Sequence, residues 1–270
     1  SNATLHNEDE IIRKDIRLLD TVCIQRAGDV IPQVLYVDKQ KRNKNAKKFN
    51  FPNKCPSCGT KTIKEFNYTT KKKDAVTRCP DPEFNCKEIL REKLKHFVSK
   101  DALNIDGFGK KIIQNFWDLN MIKYPADIFN LNFNRISSLE GWGSLSASNL
   151  EKAIRKSRKT TLDKLIFGIG IRHIGQENAK TLAKYFETVK KFQEIYDKIK
   201  RKKILNDLLN LDGIGETQVK SLDIFFSNSS NSKNVLNLIK ELHVTDFKIS
   251  KSGIFYGKTI MFTGGLKKMS

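Results

Sequence analysis

The chain has 270 residues, enough for about two domains with cores of their own. Its 50 Lys and Arg outnumber 30 Asp and Glu, and the net charge of +20 points to a polyanion, above all nucleic acid. No apolar run is long enough to cross a bilayer and no signal-peptide pattern opens the chain, so membrane and secreted classes are set aside and a cytoplasmic protein is expected.

The first fifty residues carry a β pattern. Thr21 to Gln25 reads as a strand, Arg26-Ala27-Gly28-Asp29 as a turn, and Val30 to Val37 as a second strand, with Pro32 marking an edge or bulge. Two strands are too few to stand alone, so the segment reads as part of a larger barrel. Cys23 has no partner at ligand spacing and is expected to be core. A basic run follows, with Lys39, Lys41, Arg42, Lys44, Lys47 and Lys48. It is either a solvated linker or a loop lying on phosphate.

Four cysteines come next. Cys55-Pro56-Ser57-Cys58-Gly59 is a C-x2-C knuckle; twenty residues later stands Cys79, and Cys86 completes a C-x6-C pair. Two such pairs suit one tetrahedral zinc ion held by four thiolates. With every position filled by protein, the ion would be structural, and it would fold a segment poor in apolar residues. Two disulfides are the competing arrangement, but nothing else suggests an oxidising compartment.

The stretch from Leu103 to Leu222 repeats one phrase four times: Ile105-Asp106-Gly107-Phe108-Gly109, Leu139-Glu140-Gly141-Trp142-Gly143, Ile171-Arg172-His173-Ile174-Gly175 and Leu211-Asp212-Gly213-Ile214-Gly215. The last glycines are 34, 32 and 40 residues apart, the mark of a repeated supersecondary unit. Four residues beyond them stand Ile113, Ala147, Ala179 and Val219, and seven beyond stand Phe116, Leu150, Leu182 and Leu222. Those positions share one helical face. Each copy is therefore a glycine turn feeding an amphipathic helix, with lead-in helices expected around Leu90 to Val98, within Pro125 to Leu139, at Leu162 to Phe167 and at Ile204 to Leu209. Free N–H groups and the helix dipole make such a turn a place for phosphate, and Lys110, Lys111, Arg172 and His173 add charge. A plain helical bundle capped by glycines is the alternative. His173, in a glycine position, predicts altered geometry in the third turn, with Gly168 and Gly170 supplying flexibility. The carboxylates of Asp106, Glu140 and Asp212 are expected to turn away from phosphate and cap backbone N–H groups. Binding through such turns would reach backbone and not bases.

Residues 227–233 form a Ser/Asn run that reads as a linker, Val235 to Leu242 as a last helix, and Gly257 to Gly265 as turn, strand, turn. Both chain ends read as pieces of domains cut short.

The order of parts resembles the bacterial NAD-dependent DNA ligases. The phrases carrying the resemblance are Ala3-Thr4-Leu5-His6-Asn7, Arg26-Ala27-Gly28-Asp29-Val30-Ile31-Pro32, Cys55-Pro56-Ser57-Cys58-Gly59, Leu94-Lys95-His96-Phe97-Val98-Ser99 and Gly170-Ile171-Arg172-His173-Ile174-Gly175. Gly257-Lys258-Thr259 to Thr263-Gly264 is similar to the opening strand of a BRCT domain. Leu19 before Asp20 and Gly265 depart from the usual pattern. The resemblance implies a multidomain, mainly α protein: an OB-fold part (a partial β-barrel) at 1–50, a small four-cysteine zinc finger at 51–88, four helix-hairpin-helix motifs at 89–230, a linker and last helix at 231–252, and the start of an α/β BRCT domain at 253–270. It implies zinc on Cys55, Cys58, Cys79 and Cys86, fixing the joint between barrel and helices. Nicked duplex DNA would be gripped by Arg26, Gly107, Gly109, Lys110, Lys111, Gly141, Gly143, Arg172, His173, Gly175, Gly213 and Gly215. The intact enzyme, a monomer of the bacterial cytoplasm and nucleoid, would use NAD with Mg or Mn to join a 5′-phosphate to a 3′-hydroxyl. Its adenylated lysine, in a K-x-D-G motif, belongs to a domain absent here, so this chain has no catalytic residue to assign. Two further readings stay open: a non-catalytic helix-hairpin-helix repair or junction-binding subunit, and a zinc-ribbon RNA-binding component.

Overall fold

A computed structural model of the chain describes residues 2–5, 7–26, 31–67, 71–81, 84 and 86–247. The reading of 253–270 as a BRCT start, with the strand expected at 257–265, lies outside the described residues, as does most of the turn at 26–29. The chain divides into two compact units, residues 1–89 and 90–270.

The first unit opens with helix α1 (Glu8–Arg13), whose start is fixed by the Asn7 side chain accepting from the Asp9 N–H at 3.0 Å and by three acidic residues in its first turn. Strands β1 (Val22–Gln25) and β2 (Gln33–Val37) pair antiparallel, with an irregularity between Cys23 and Ile24. The second strand begins after Pro32, since proline has no N–H to give to the ladder. Ile11, Ile16, Val34 and Val37 form a small core with Ala3, Val22 and Phe51 packed on it. Cys23, expected in the core, is only half-buried. A second antiparallel pair, β3 (Ile63–Asn67) and β4 (Lys72–Arg78), rises between the two halves of the cysteine set. Lys64 ties it to α1 through Glu8 at 3.0 Å and Asp9 at 2.8 Å.

Within the basic run, Arg42 is a structural residue. Its guanidinium grips Asp15 Oδ2 at 2.5 Å and Asp20 Oδ2 at 2.9 Å, and the Asp20 side chain is 1% exposed. Burial works to raise Asp20, but the Arg42 guanidinium and the Arg17 amide outweigh it and hold the carboxyl below its usual range. Hydrogen bonds from Arg42 and Arg17 bring Asp15 down to about 2. Both shifts are downward, so this contribution to stability is complete above the unfolded carboxyl range near pH 4 and fades as pH falls toward 2. Arg42→Ala is therefore expected to lower the urea midpoint at pH 7 clearly more than at pH 3. An equal drop at both pH values would show that the arginine acts by packing alone.

The second unit is helical. Helix α2 (Lys87–Val98), which starts in the first unit, leads into it and buries Leu90, Leu94, Phe97 and Val98. After the first glycine turn come α3 (Lys110–Asp118), a 3-10 helix (Pro125–Asn130) and α4 (Phe133–Ser137). The second turn feeds α5 (Ser144–Ser157), a short strand β5 (Lys159–Thr161) and α6 (Leu162–Gly168). The third feeds α7 (Gln176–Phe186), then α8 (Val189–Gln193), a 3-10 helix (Glu194–Tyr196) and α9 (Lys198–Leu208). The fourth feeds α10 (Glu216–Ser227), followed by α11 (Ser229–Glu241) and β6 (His243–Thr245). The lead-in expected within 125–139 is thus two short pieces.

The Ser/Asn run is no linker. Asn228 caps α11 by accepting from the Asn231 N–H at 3.0 Å, and Asn231 is itself buried, donating to the Phe225 carbonyl at 3.2 Å. Serine and asparagine favour a helix start because their side chains satisfy its unpaired N–H groups. β6 then pairs parallel with β5, and Arg158 reaches the Glu241 carboxylate at 2.8 Å and the Phe129 carbonyl at 2.6 Å. A tight phenylalanine core runs through the unit, with Phe97, Phe116, Phe186 and Phe192 fully buried. His96 Nε2 lies 2.8 Å from the Phe167 carbonyl and so donates to it, joining α2 to α6. Gly168 packs there as well; a Cβ would come within 3.0 Å of Leu103 Cδ1.

Candidate nucleic-acid interface and metal centre

The four predicted cysteines converge. Their sulfurs all lie within 4.8 Å of one another, Cys55 and Cys86 at 3.9 Å and Cys58 and Cys79 at 3.5 Å. A disulfide needs about 2.05 Å, so these are free thiols. A tetrahedron with Zn–S bonds of about 2.3 Å has edges of about 3.8 Å, and the donor set fits. The knuckle is folded by the chain itself: the Cys55 N–H donates to the Thr60 carbonyl at 2.8 Å, the Gly59 N–H to the Cys55 carbonyl at 2.8 Å, and Gly59 takes φ +74°. Hydrogen bonds from the Thr60 hydroxyl and amide bring Cys58 down to about 6. Burial pushes Cys79 up to about 12 and raises Cys86 too. Four sulfurs this close, two of them buried, resist shared ionisation unless a cation sits among them. Thr60 escaped the sequence reading, although a hydroxyl two residues past a knuckle is a visible signal.

The glycine turns are built alike. In each, the fourth residue donates to the first carbonyl: Phe108 to Ile105 at 3.2 Å, Trp142 to Leu139 at 3.0 Å, Ile174 to Ile171 at 3.1 Å and Ile214 to Leu211 at 3.1 Å. The third residue takes positive φ: Gly107 +77°, Gly141 +77°, His173 +61° and Gly213 +84°. This is the geometry of a turn that favours glycine there. The closing glycines, Gly109, Gly143, Gly175 and Gly215, are extended N-caps of α3, α5, α7 and α10. Ile105, Phe108, Ile171, Ile174 and Ile214 point inward while the polar and glycine positions are exposed. Ile113, Ala147, Ala179, Phe116, Leu150, Leu182 and Leu222 are buried as the spacing predicts, with Val219 half-buried. Phe116 also stacks on Trp142 at 5.5 Å, which couples the first two turns.

Two expectations are corrected here. The third turn keeps the common geometry, because His173 itself adopts the left-handed conformation. Gly168 is a packing position rather than a flexible one. Asp106, Glu140 and Asp212 are exposed and make no capping hydrogen bond among the described residues.

The turns differ in what their amides already hold. The Gly143 N–H donates to Ser146 Oγ at 3.0 Å and the Gly215 N–H to Gln218 Oε1 at 3.1 Å. Among the described residues, the amides of Gly109 and Gly175 have no such acceptor. Every turn has a carboxylate close by, Asp106 in the first and Glu177 just after the third, but basic side chains stand in or directly after the first and third. Lys110 and Lys111 are exposed on the first turn of α3, with no acidic partner among the described residues, and Arg172 is exposed in the third turn. Glu140 flanks the second turn, and Asp212 and Glu216 the fourth. Ser146 and Gln218 were missed by the sequence reading. A Ser or Gln three residues after an N-cap is their signal. Arg26 is exposed at the end of β1, in the first unit.

Comparison with known proteins gives the lineage. The OB-fold domain of NAD-dependent DNA ligase matches residues 1–46, and the helix-hairpin-helix motif matches residues 164–235, which hold the third and fourth turns. The chain is 53% identical over its whole length to the DNA ligase of Pelagibacter ubique, 42% to that of Ehrlichia canis and 38% to that of Xanthobacter autotrophicus. Along its whole length the chain is similar to the C-terminal part of DNA ligases, and its first residues match a domain of the NAD-dependent ones. It spans about 40% of the length of these ligases, in their C-terminal part. Among the described residues no helix is long and apolar enough to cross a membrane.

Proposed function

We propose that this chain is the DNA-holding part of an NAD-dependent DNA ligase that, when intact, seals nicks by joining 5′-phosphate and 3′-hydroxyl ends. The observation that supports it is the set of four turns of one geometry, each presenting an exposed helix N-terminus, in a chain of ligase descent and net charge +20. All four act as helix-hairpin-helix motifs, and they meet phosphates through backbone amides. The first and third turns carry most of the grip. Gly109 and Gly175 offer amides there, and Lys110, Lys111 and Arg172 add charge. Gly107 sets the backbone of the first. Gly141, Gly143, Gly213 and Gly215 hold the same shape in turns that face phosphate more weakly, and Arg26 adds a contact from the first unit. Zinc on Cys55, Cys58, Cys79 and Cys86 is structural. NAD and Mg or Mn serve the intact enzyme, which works as a monomer on nicked duplex.

The decisive measurement is titration of nicked duplexes of unrelated sequence with the chain. Affinity should not depend on sequence. Lys110→Ala/Lys111→Ala should weaken all the duplexes alike and reduce the salt slope by about 2, one for each lysine taken off phosphate. Sequence-dependent binding, or an unchanged slope in the double variant, rejects this assignment.

A further inference from the structure

Three turns use glycine where φ is positive; the third uses histidine. The left-handed conformation strains a residue with a Cβ, and the three glycines there meet nothing within 4 Å where a Cβ would stand. Space therefore does not select the residue, and the strain of His173 needs an offset. Its contacts supply one. Asn178 Nδ2, in the first turn of α7, donates to the His173 carbonyl at 3.1 Å. The imidazole Nδ1 lies 3.1 Å from Ser221 Oγ, in the middle of α10 and 48 residues away. The Ser221 hydroxyl already gives its proton to the Thr217 carbonyl at 2.8 Å, so Nδ1–H of His173 is the donor and Ser221 the acceptor. Residues held in strained conformations persist where their surroundings over-determine them. Here both the carbonyl and the ring are held.

We propose that His173 is a positioning residue that locks the third turn to the helix of the fourth, so that Arg172 and the Gly175 amide meet DNA in a fixed relation to the Gly213-Ile214-Gly215 turn. A glycine at 173 would ease the backbone but cut the link, which is why the repeat departs from itself at this one point. The inference rests on the DNA-holding reading of the turns.

The test compares His173→Gly, His173→Asn, Ser221→Ala and the double His173→Gly/Ser221→Ala chain by nicked-duplex titration and, without DNA, by amide hydrogen exchange. Glycine accepts positive φ, so His173→Gly is expected to fold. Asparagine both tolerates this φ and carries an N–H donor. His173→Gly and Ser221→Ala should each weaken binding about fivefold, the effect of one ordinary hydrogen bond, and the double variant should be no worse than either. His173→Asn should recover binding to within about twofold of wild type, because its Nδ2 lies the same two bonds from Cβ as the imidazole Nδ1. Amides of residues 213–219 should exchange faster in DNA-free His173→Gly and Ser221→Ala. Unchanged exchange there, additive losses, or faster exchange with unaltered affinity overturns the proposal. A wild-type chain that does not bind nicked duplex defeats the DNA-holding reading instead, and exchange in the free protein still reports whether the lock exists.

Discussion

Removing zinc is expected to unfold residues 55–86 while α3 to α11 keep their helical signal. The reason lies in the hairpin between the cysteine pairs. No residue of β4 is fully buried, and Ile63 and Phe66 of β3 are 40% and 46% exposed. Two strands with so little core are marginal in water. Structural zinc in small fingers contributes on the order of 10 kcal/mol of apparent binding energy, all of it available for folding. Chelation with verified metal loss, followed by limited trypsin digestion, reads the result directly. The lysines at 61, 64, 71, 72 and 73 should become cleavable first, and Cys86→Ser should mimic the chelator. Protection that survives metal loss sinks the structural role. Acid should release the metal too, because protons compete for the thiolates.

Raising salt from 50 to 200 mM should cut nicked-duplex affinity roughly a thousandfold to ten-thousandfold. Contacts to six to eight phosphates give a slope of roughly −5 to −7 in log affinity against log salt, since each neutralised phosphate releases counterions. The exposed Lys110, Lys111 and Arg172 and the amides of Gly109 and Gly175 supply part of that number. The rest must come from the wider surplus of 50 basic over 30 acidic side chains. A slope near zero would mean that phosphate is not what the turns hold.

The glycine turns and the helices behind them were legible in the sequence because two spacings, apolar at +4 and +7 past a glycine, repeat in register. The cysteine set was legible for the same kind of reason, as ligand spacing survives any fold around it. What stayed hidden depends on partners distant in sequence. Arg42 looked like one cation in a basic run, and only the approach of Asp15 and Asp20 gives it a role. The run at 227–233 has a linker's composition, yet Asn228 and Asn231 commit their polar groups to a helix start. Strands of three residues, β5 and β6, are too short for any periodicity to announce. At His173 the sequence showed an exception, and its meaning needed Ser221.

The pairing of β5 with β6 carries a consequence for how the second unit comes apart. A row of helical repeats touches only its neighbours and can unzip from either end. Here the last strand returns to the middle of the row: Lys159 pairs with His243, Thr160 with Val244 and Thr161 with Thr245, while Asn130 and Arg158 both hold Glu241. That return closes the chain from Asn130 to Thr245 on itself, so the third and fourth repeats have no loose end from which to fray alone. Denaturant should meet one cooperative transition across residues 130–245, and cutting the chain after Glu241 should loosen the second turn's helix as much as the fourth's.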